Sequence, residues 1–138
     1  MNERFLRYRS KISVVTEKLE GIGLEPRSSL ERDAILFRVQ VAVEATMDII
    51  AMLVKDHGRD VRDDYHNIEV LAELRTVTPS LARQLKKLNG LRNAIAHKYN
   101  TFEEAAVFRN RETIRASLEA FLTRVEHELK TLFGKDTG

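Results

Sequence analysis

The chain contains no cysteine, and its 138 residues include only two prolines and six glycines. Without a thiol, disulfides, thiolate metal sites and a cysteine nucleophile are excluded. So few helix breakers favour long helices over many short strands. No stretch alternates with the period of two that a half-buried strand requires, and no repeat or low-complexity segment is present. An unbroken apolar run is also lacking. The greasiest stretch, VQVAVEATMDIIAMLV, is interrupted by Gln40, Glu44 and Asp48, which argues against a membrane span. The opening MNERFLRYRSKIS has no apolar signal-peptide core, so a cytoplasmic location is expected. Neither charge sign dominates: 23 Lys and Arg stand against 21 Asp and Glu, a net charge of +2. That balance permits contact with nucleic acid without arguing strongly for it.

What is present is a 3.6-residue apolar period that reads as four to five helices. Tyr8, Ile12, Val15, Leu19 and Ile22 mark the first, ended by GIGLEP. Ser28 followed by Glu31 forms a capping box, and the second helix should run to about His57 with Gly58 just beyond. A short third helix covers Asp63 to Leu74, with Ile68 and Leu71 inward. Thr78-Pro79 is an N-cap followed by proline at the first helical position, opening a fourth helix with Leu81, Leu85, Leu88 and Ile95 on one side. Behind a second capping box, Thr101 to Glu104, the stripe Ile114, Leu118, Phe121, Val125, Leu129 and Leu132 is the longest in the chain. The expectation is one all-α, up-and-down bundle over residues 1–133, with 134–138 a frayed tail.

Two helices break their own pattern. The second is apolar nearly all round, leaving a narrow strip of Gln40, Glu44 and Asp48, which marks a central or interface helix. Carboxylates on such a helix require partners. The fourth helix offers one, because its seam of Leu81, Leu85 and Leu88 continues through Arg92, Ile95 and Tyr99. Arg92 is therefore expected to pair with Glu44 or Asp48. Asn93 and His97 share a different face with Lys86. At 100° per residue, Arg92 and His97 lie about 140° apart around the axis. They can meet one substrate only if the helix distorts, the arginine reaches round, or a second subunit completes the site. Gly90 marks a place where another backbone could come close, and Asn100 is a plausible left-handed cap.

Arg92, Asn93, His97 and Tyr99 have the chemistry that metal-free RNA cleavage needs. Histidine can take or give a proton near neutrality. Arginine grips phosphate through a planar fork. Asparagine can orient a phosphate oxygen or the imidazole, and tyrosine can stack or donate. By residue type alone, however, an arginine–histidine pair on a helix is more often structural than catalytic. His57, His66 and His127 read as surface residues, no spacing suggests a metal site, and Tyr8, Tyr65 and Met47 read as packing residues.

At RNAIAHKY the sequence resembles the HEPN superfamily, and the form Arg92-x-x-x-x-His97-x-Tyr99 resembles its HepT branch. LARQLKKLNGLRN, VQVAVEATMDIIAML and the helix order, over roughly residues 30–132, resemble it as well. The resemblance implies an α-helical homodimer with a cleft at the subunit interface, acting as a metal-independent endoribonuclease toxin of a type VII toxin–antitoxin system. It implies phosphate stabilisation and acid–base chemistry from Arg92 and His97, with Asn93 in the polar position after the arginine. Glu44 and Asp48 would have a supporting role. The implied partner is a minimal nucleotidyltransferase antitoxin of the MntA type, which would transfer AMP to Tyr99 and so exclude RNA. No cofactor is implied. A non-catalytic module that binds nucleotide or RNA and partners a nucleotidyltransferase is the alternative, since bundles of this kind serve both purposes.

Overall fold

The computed structural model describes residues 2–97 and 104–137. Among them the order is α1 (Glu3–Leu19), α2 (Ser29–Asp56), α3 (Asp64–Glu73), α4 (Pro79–His97), α5 (Glu104–Arg109) and α6 (Arg111–Thr137), with no strand. The all-α expectation holds, with one more helix than expected because α5 and α6 separate at Asn110. That side chain donates to the Ala106 carbonyl at 2.7 Å, a local bond that competes with helix continuation.

Side-chain caps explain most of the starts. Asn2 accepts from the backbone of Arg4 and Phe5, Ser28 from Glu31, Asp63 from His66, and Thr78 from Leu81. The Glu31 carboxylate reaches back to the Arg27 N–H rather than to that of Ser28, so this box is one residue wider than expected. Gly21 and Gly58 follow α1 and α2 with φ of 84° and 75°, a left-handed conformation natural to glycine. Arg75 takes the same turn after α3, with φ of 61°, although it carries a side chain.

Contacts along the helices define an up-and-down course. Arg4 near the start of α1 meets Asp56 at the end of α2, while Glu17 near the end of α1 accepts from Arg38 near the start of α2. Arg9 pairs with Glu126, and Phe5 stacks on Phe133, which sets α6 antiparallel to α1. Asp64 meets Arg92, and Glu69 meets Lys86, which does the same for α3 and α4.

The central helix is α2, packed against α1, α3 and α4. It buries Val39, Ala42, Val43, Ala45, Ile49, Ile50, Met52 and Leu53, on more than one face, as its composition predicts. The buried Thr46 hydroxyl donates back to the Ala42 carbonyl at 2.8 Å, so it carries no unmet donor. The α6 stripe Ile114, Leu118, Phe121, Val125 and Leu129 closes the core, with Leu132 partly buried against it. Helical assignment continues to Thr137 past a non-helical residue, Phe133 (φ −131°, ψ 31°), one position before Gly134. Its ring lies 5.9 Å from the rings of both Phe5 and Tyr8. Among the described residues no helix is long and apolar enough to cross a membrane.

Two surface expectations need correction. His57 caps α2 on the inside of the bundle, its Nε2 3.3 Å from the Glu128 carboxylate, with side chains only 23% and 11% exposed. The atom is close enough for an ionic contact but is not aligned for a hydrogen bond. Tyr65, read as packing, is 44% exposed. His127 is exposed and His66 partly so, while Tyr8 and Met47 are buried as expected.

Candidate functional site

The candidate residues are carried by the C-terminal half of α4. Thr78 caps this helix through its hydroxyl, 3.1 Å from the Leu81 N–H, and Pro79 opens it. Ala82, Leu85, Leu88 and Ile95 are buried and seat it against its neighbours. The helix is continuous from Pro79 to His97. Arg92 and His97 therefore keep the angular separation of about 140° that a regular helix imposes, and stand about 7.5 Å apart along its axis. Helix distortion is thus removed as a way of uniting them.

The expected partners of Arg92 are wrong. Its Nη2 lies 3.5 Å from Asp64 Oδ2 on the first turn of α3, with the two side chains 23% and 35% exposed. Asp48 is instead exposed and paired with Lys11 at 2.8 Å, and Glu44 accepts weakly from Gln40 at 3.4 Å. The reason is geometric: the polar strip of α2 points outward beside α1, while Arg92 points towards α3. The strip needs no buried partner because water reaches it.

The Arg92 fork is only partly occupied. Its Nε is buried and has no hydrogen-bond partner among the described residues. One turn earlier, Asn89 is 2% exposed, and its Oδ1 likewise lacks a partner among them. Buried polar groups are nearly always satisfied, so two such atoms one turn apart distinguish this stretch from the rest of the helix. Asn93 is half-buried, and His97, the last residue of α4, is exposed. Lys86, on the face shared with Asn93 and His97, is paired with Glu69. Tyr99, Asn100 and Thr101 lie outside the described residues.

Gly90 faces α3. A Cβ added there would meet the Tyr65 hydroxyl oxygen at 3.5 Å, ordinary contact rather than a clash. A groove of about 320 Å³ between α4, α5 and α6 is lined by Lys87, Leu88, Leu91, Asn110 and Thr113, and includes none of Arg92, Asn93 and His97. Among the described residues no cluster of three His, Asp or Glu is arranged to hold a metal. Asp64 and Asn89 are the site neighbours that sequence reasoning missed. Asp64 reads as an ordinary first-turn acid, and Asn89 as one polar residue in a polar run, so neither carried a signal of its own.

On this all-α bundle a continuous helix presents a half-buried arginine and, at its exposed end, a histidine, residue types able to bind phosphate and to move a proton. Comparison with known proteins says which bundle. The family model for ribonuclease HepT-like proteins matches residues 6–125, and the chain belongs to that family. A candidate RNase of Archaeoglobus fulgidus is 40% identical over 126 residues, covering 91% of this chain and 96% of that protein. The tRNA nuclease HepT of Aphanizomenon flos-aquae is 33% identical over 100 residues, 67% of this chain and 65% of that one. Among solved structures, the tri-AMPylated HEPN toxin of Shewanella oneidensis, in complex with its MNT antitoxin, superposes with a TM-score of 0.80 at 20% identity. The match covers 92% of this chain and 99% of that one. The cytosolic protein YutE of Bacillus subtilis gives 0.83 at 18% identity, over 93% and 92%. At such identities these two likenesses bear on the fold alone.

Proposed function

We propose that this chain is a metal-independent endoribonuclease, the toxin of a type VII toxin–antitoxin module, working in the cytoplasm as a homodimer. The observation that carries the reading is the undistorted α4. It holds Arg92 and His97 on different sides of one helix, which leaves the arginine's own reach or, in our reading, a second copy to bring them to one phosphate. Family membership and the relatives named as RNases support the reaction class.

In the reaction, a base takes the proton of a ribose 2′-hydroxyl, whose oxygen attacks the adjacent phosphorus. The bond to the 5′-oxygen breaks, and that oxygen leaves with a proton from an acid. His97 is the group that can act as base or acid. Arg92 neutralises the charge that builds on the phosphoryl oxygens, and Asn93 orients the phosphate or the imidazole. The products are a 2′,3′-cyclic phosphate and a free 5′-hydroxyl. Glu44 and Asp48 keep at most a supporting role, as outward charges on α2.

Control would come from a minimal nucleotidyltransferase of the MntA type, as suggested by the tri-AMPylated HEPN toxin with its MNT antitoxin and by the MntA toxin–antitoxin complex, both of similar fold. The Tyr99 oxygen attacks the α-phosphorus of ATP and pyrophosphate leaves. The added AMP brings bulk and negative charge beside the motif, which obstructs RNA and repels its phosphates. Two measurements test this. The purified chain should cleave RNA in excess chelator and leave 5′-hydroxyl ends; RNA bound but uncut would make it a binding module. Incubation with the cognate nucleotidyltransferase and ATP should add one or more AMP masses at Tyr99, and an unmodified Tyr99 peptide would remove the switch.

A further inference from the structure

Asp64 stands out because, besides being the first-turn acid of α3, it is the carboxylate that meets Arg92. The start of α3 is already capped by Asp63, whose carboxylate accepts from the His66 N–H at 2.9 Å. Asn67 ties the same turn to the preceding loop, accepting from the Arg62 N–H at 2.8 Å and donating to the Arg62 carbonyl at 3.0 Å. Tyr65 lies across α4 at Gly90, two residues before Arg92. The first turn of α3 is therefore tied down by Asp63 and Asn67, with Asp64 opposite the arginine.

The contact is one-ended. Glu126 takes both prongs of the Arg9 fork at 2.5 and 2.6 Å, and Glu73 and Glu25 each accept a short hydrogen bond from one prong, of Arg59 at 2.6 Å and of Arg111 at 2.7 Å. Asp64 meets only one Nη of Arg92, at 3.5 Å. The buried Nε has no hydrogen-bond partner among the described residues. An arginine side chain has four flexible torsions, and holding one end of its fork removes much of the entropy cost of aiming the other.

We infer that Asp64 is a positioning residue for the cleavage reaction: it holds the Arg92 guanidinium by one prong so that the rest of the fork meets the scissile phosphate. The inference rests on the nuclease reading above for its function, but the hold itself is observable without any cleavage. Misplacing a phosphate-binding group by about 1 Å can cost on the order of 10²-fold in rate. The effect should fall on kcat more than on KM, since the charge grows in the transition state.

The test uses the full chain with Asp64→Asn, Asp64→Ala and Asp64→Glu, read in two ways. In nitrogen-15 spectra, the Arg92 Nε–H signal is assigned by its loss in Arg92→Lys. Its solvent exchange should be roughly tenfold faster in Asp64→Asn than in the wild type and should slow again in Asp64→Glu. An unchanged signal in Asp64→Asn overturns the hold whether or not the protein cleaves RNA. In the cleavage assay, Asp64→Ala and Asp64→Asn should lose about tenfold or more in kcat, with KM within about threefold and the melting temperature nearly unchanged, and Asp64→Glu should recover part of the loss. Wild-type rates in both variants overturn the positioning role. Faster cleavage also overturns it, because Asp64 would then be a brake competing with the phosphate. A wild type that fails to cleave under any condition refutes the nuclease reading instead, and the nitrogen signal still decides the hold.

Discussion

Arg9 and Arg92 both cross from one helix to a carboxylate on a neighbour, yet they are built for different ends. Arg9 lies in a region where charged groups close on each other. Its fork is taken bidentately by Glu126, and close by Asp56 accepts from the Tyr8 hydroxyl at 2.6 Å and from Arg4 Nε at 2.9 Å. Around Arg92, one long contact to Asp64 leaves a buried Nε and a neighbouring buried Asn89 oxygen without partners among the described residues. Closed polar networks hold helices together. The stretch around Arg92, with two buried polar atoms that have no partner among the described residues, is not closed in that way.

This contrast can be broken by substitution, and the largest expected effect is on activity. Arg92→Ala should lower kcat for RNA cleavage on the order of 10²–10³-fold, the usual loss for one transition-state donor, while urea unfolding shifts by less than about 1 kcal/mol. A loss of several kcal/mol of stability with little loss of rate would make Arg92 a structural residue instead.

Tyr8→Phe should show the reverse. It removes one of two donors to the half-buried Asp56 carboxylate and should cost about 1 kcal/mol by urea unfolding, with cleavage per folded molecule unchanged. Burial holds the Tyr8 hydroxyl well above its usual ionisation near 10.0, and the hydrogen bond to Asp56 adds to this. The folded state thus keeps that proton more tightly than the unfolded chain does. The resulting stability is complete below the ordinary tyrosine value and drains away as pH rises beyond it. Between pH 10 and 12 the wild type should lose stability more steeply than Tyr8→Phe, and parallel curves would remove Tyr8 from the network.

Smaller effects sharpen the contrast further. Arg9→Ala should cost at most about 1 kcal/mol, since that pair is substantially exposed and solvent screens it, and it should leave cleavage intact. Arg75→Gly, at the left-handed turn between α3 and α4, should raise the melting temperature slightly, by relief of up to ~1 kcal/mol of backbone strain. No gain there would mean that the Arg75 side chain makes up for its own strain.

Much of this molecule is legible in its sequence because helix signals are local. Ser28, Asp63, Thr78 and Gly58 mark boundaries through bonds and dihedrals that involve only nearby residues, and the α6 stripe declares its buried face by spacing alone. The partner of Arg92 could not be read in the same way. A helical wheel shows which side of α4 a residue occupies, but α4 packs against α2, α3 and α6, and the wheel does not say which of them lies there. The apolar surroundings of Glu44 and Asp48 in the sequence point to α2, but those carboxylates face outward and Asp64 of α3 lies beside Arg92 instead. His57 was misjudged for a related reason, since a position past a helix end has no periodic face to be read from. Asn110 divides the last stripe through a side-chain bond to the backbone that apolar spacing does not register. The motif reads from the sequence as a set of four residues, and its assembly across two copies belongs to the proposal above.

The most direct test of the central claim is RNA cleavage by a nuclease-free preparation of His97→Ala beside the wild type, with the oligomeric state of both measured in the same buffer. The account predicts an intact dimer and a loss of cleavage on the order of 10²–10⁴-fold, the contribution of a general acid or base. Wild-type cleavage by dimeric His97→Ala would contradict it.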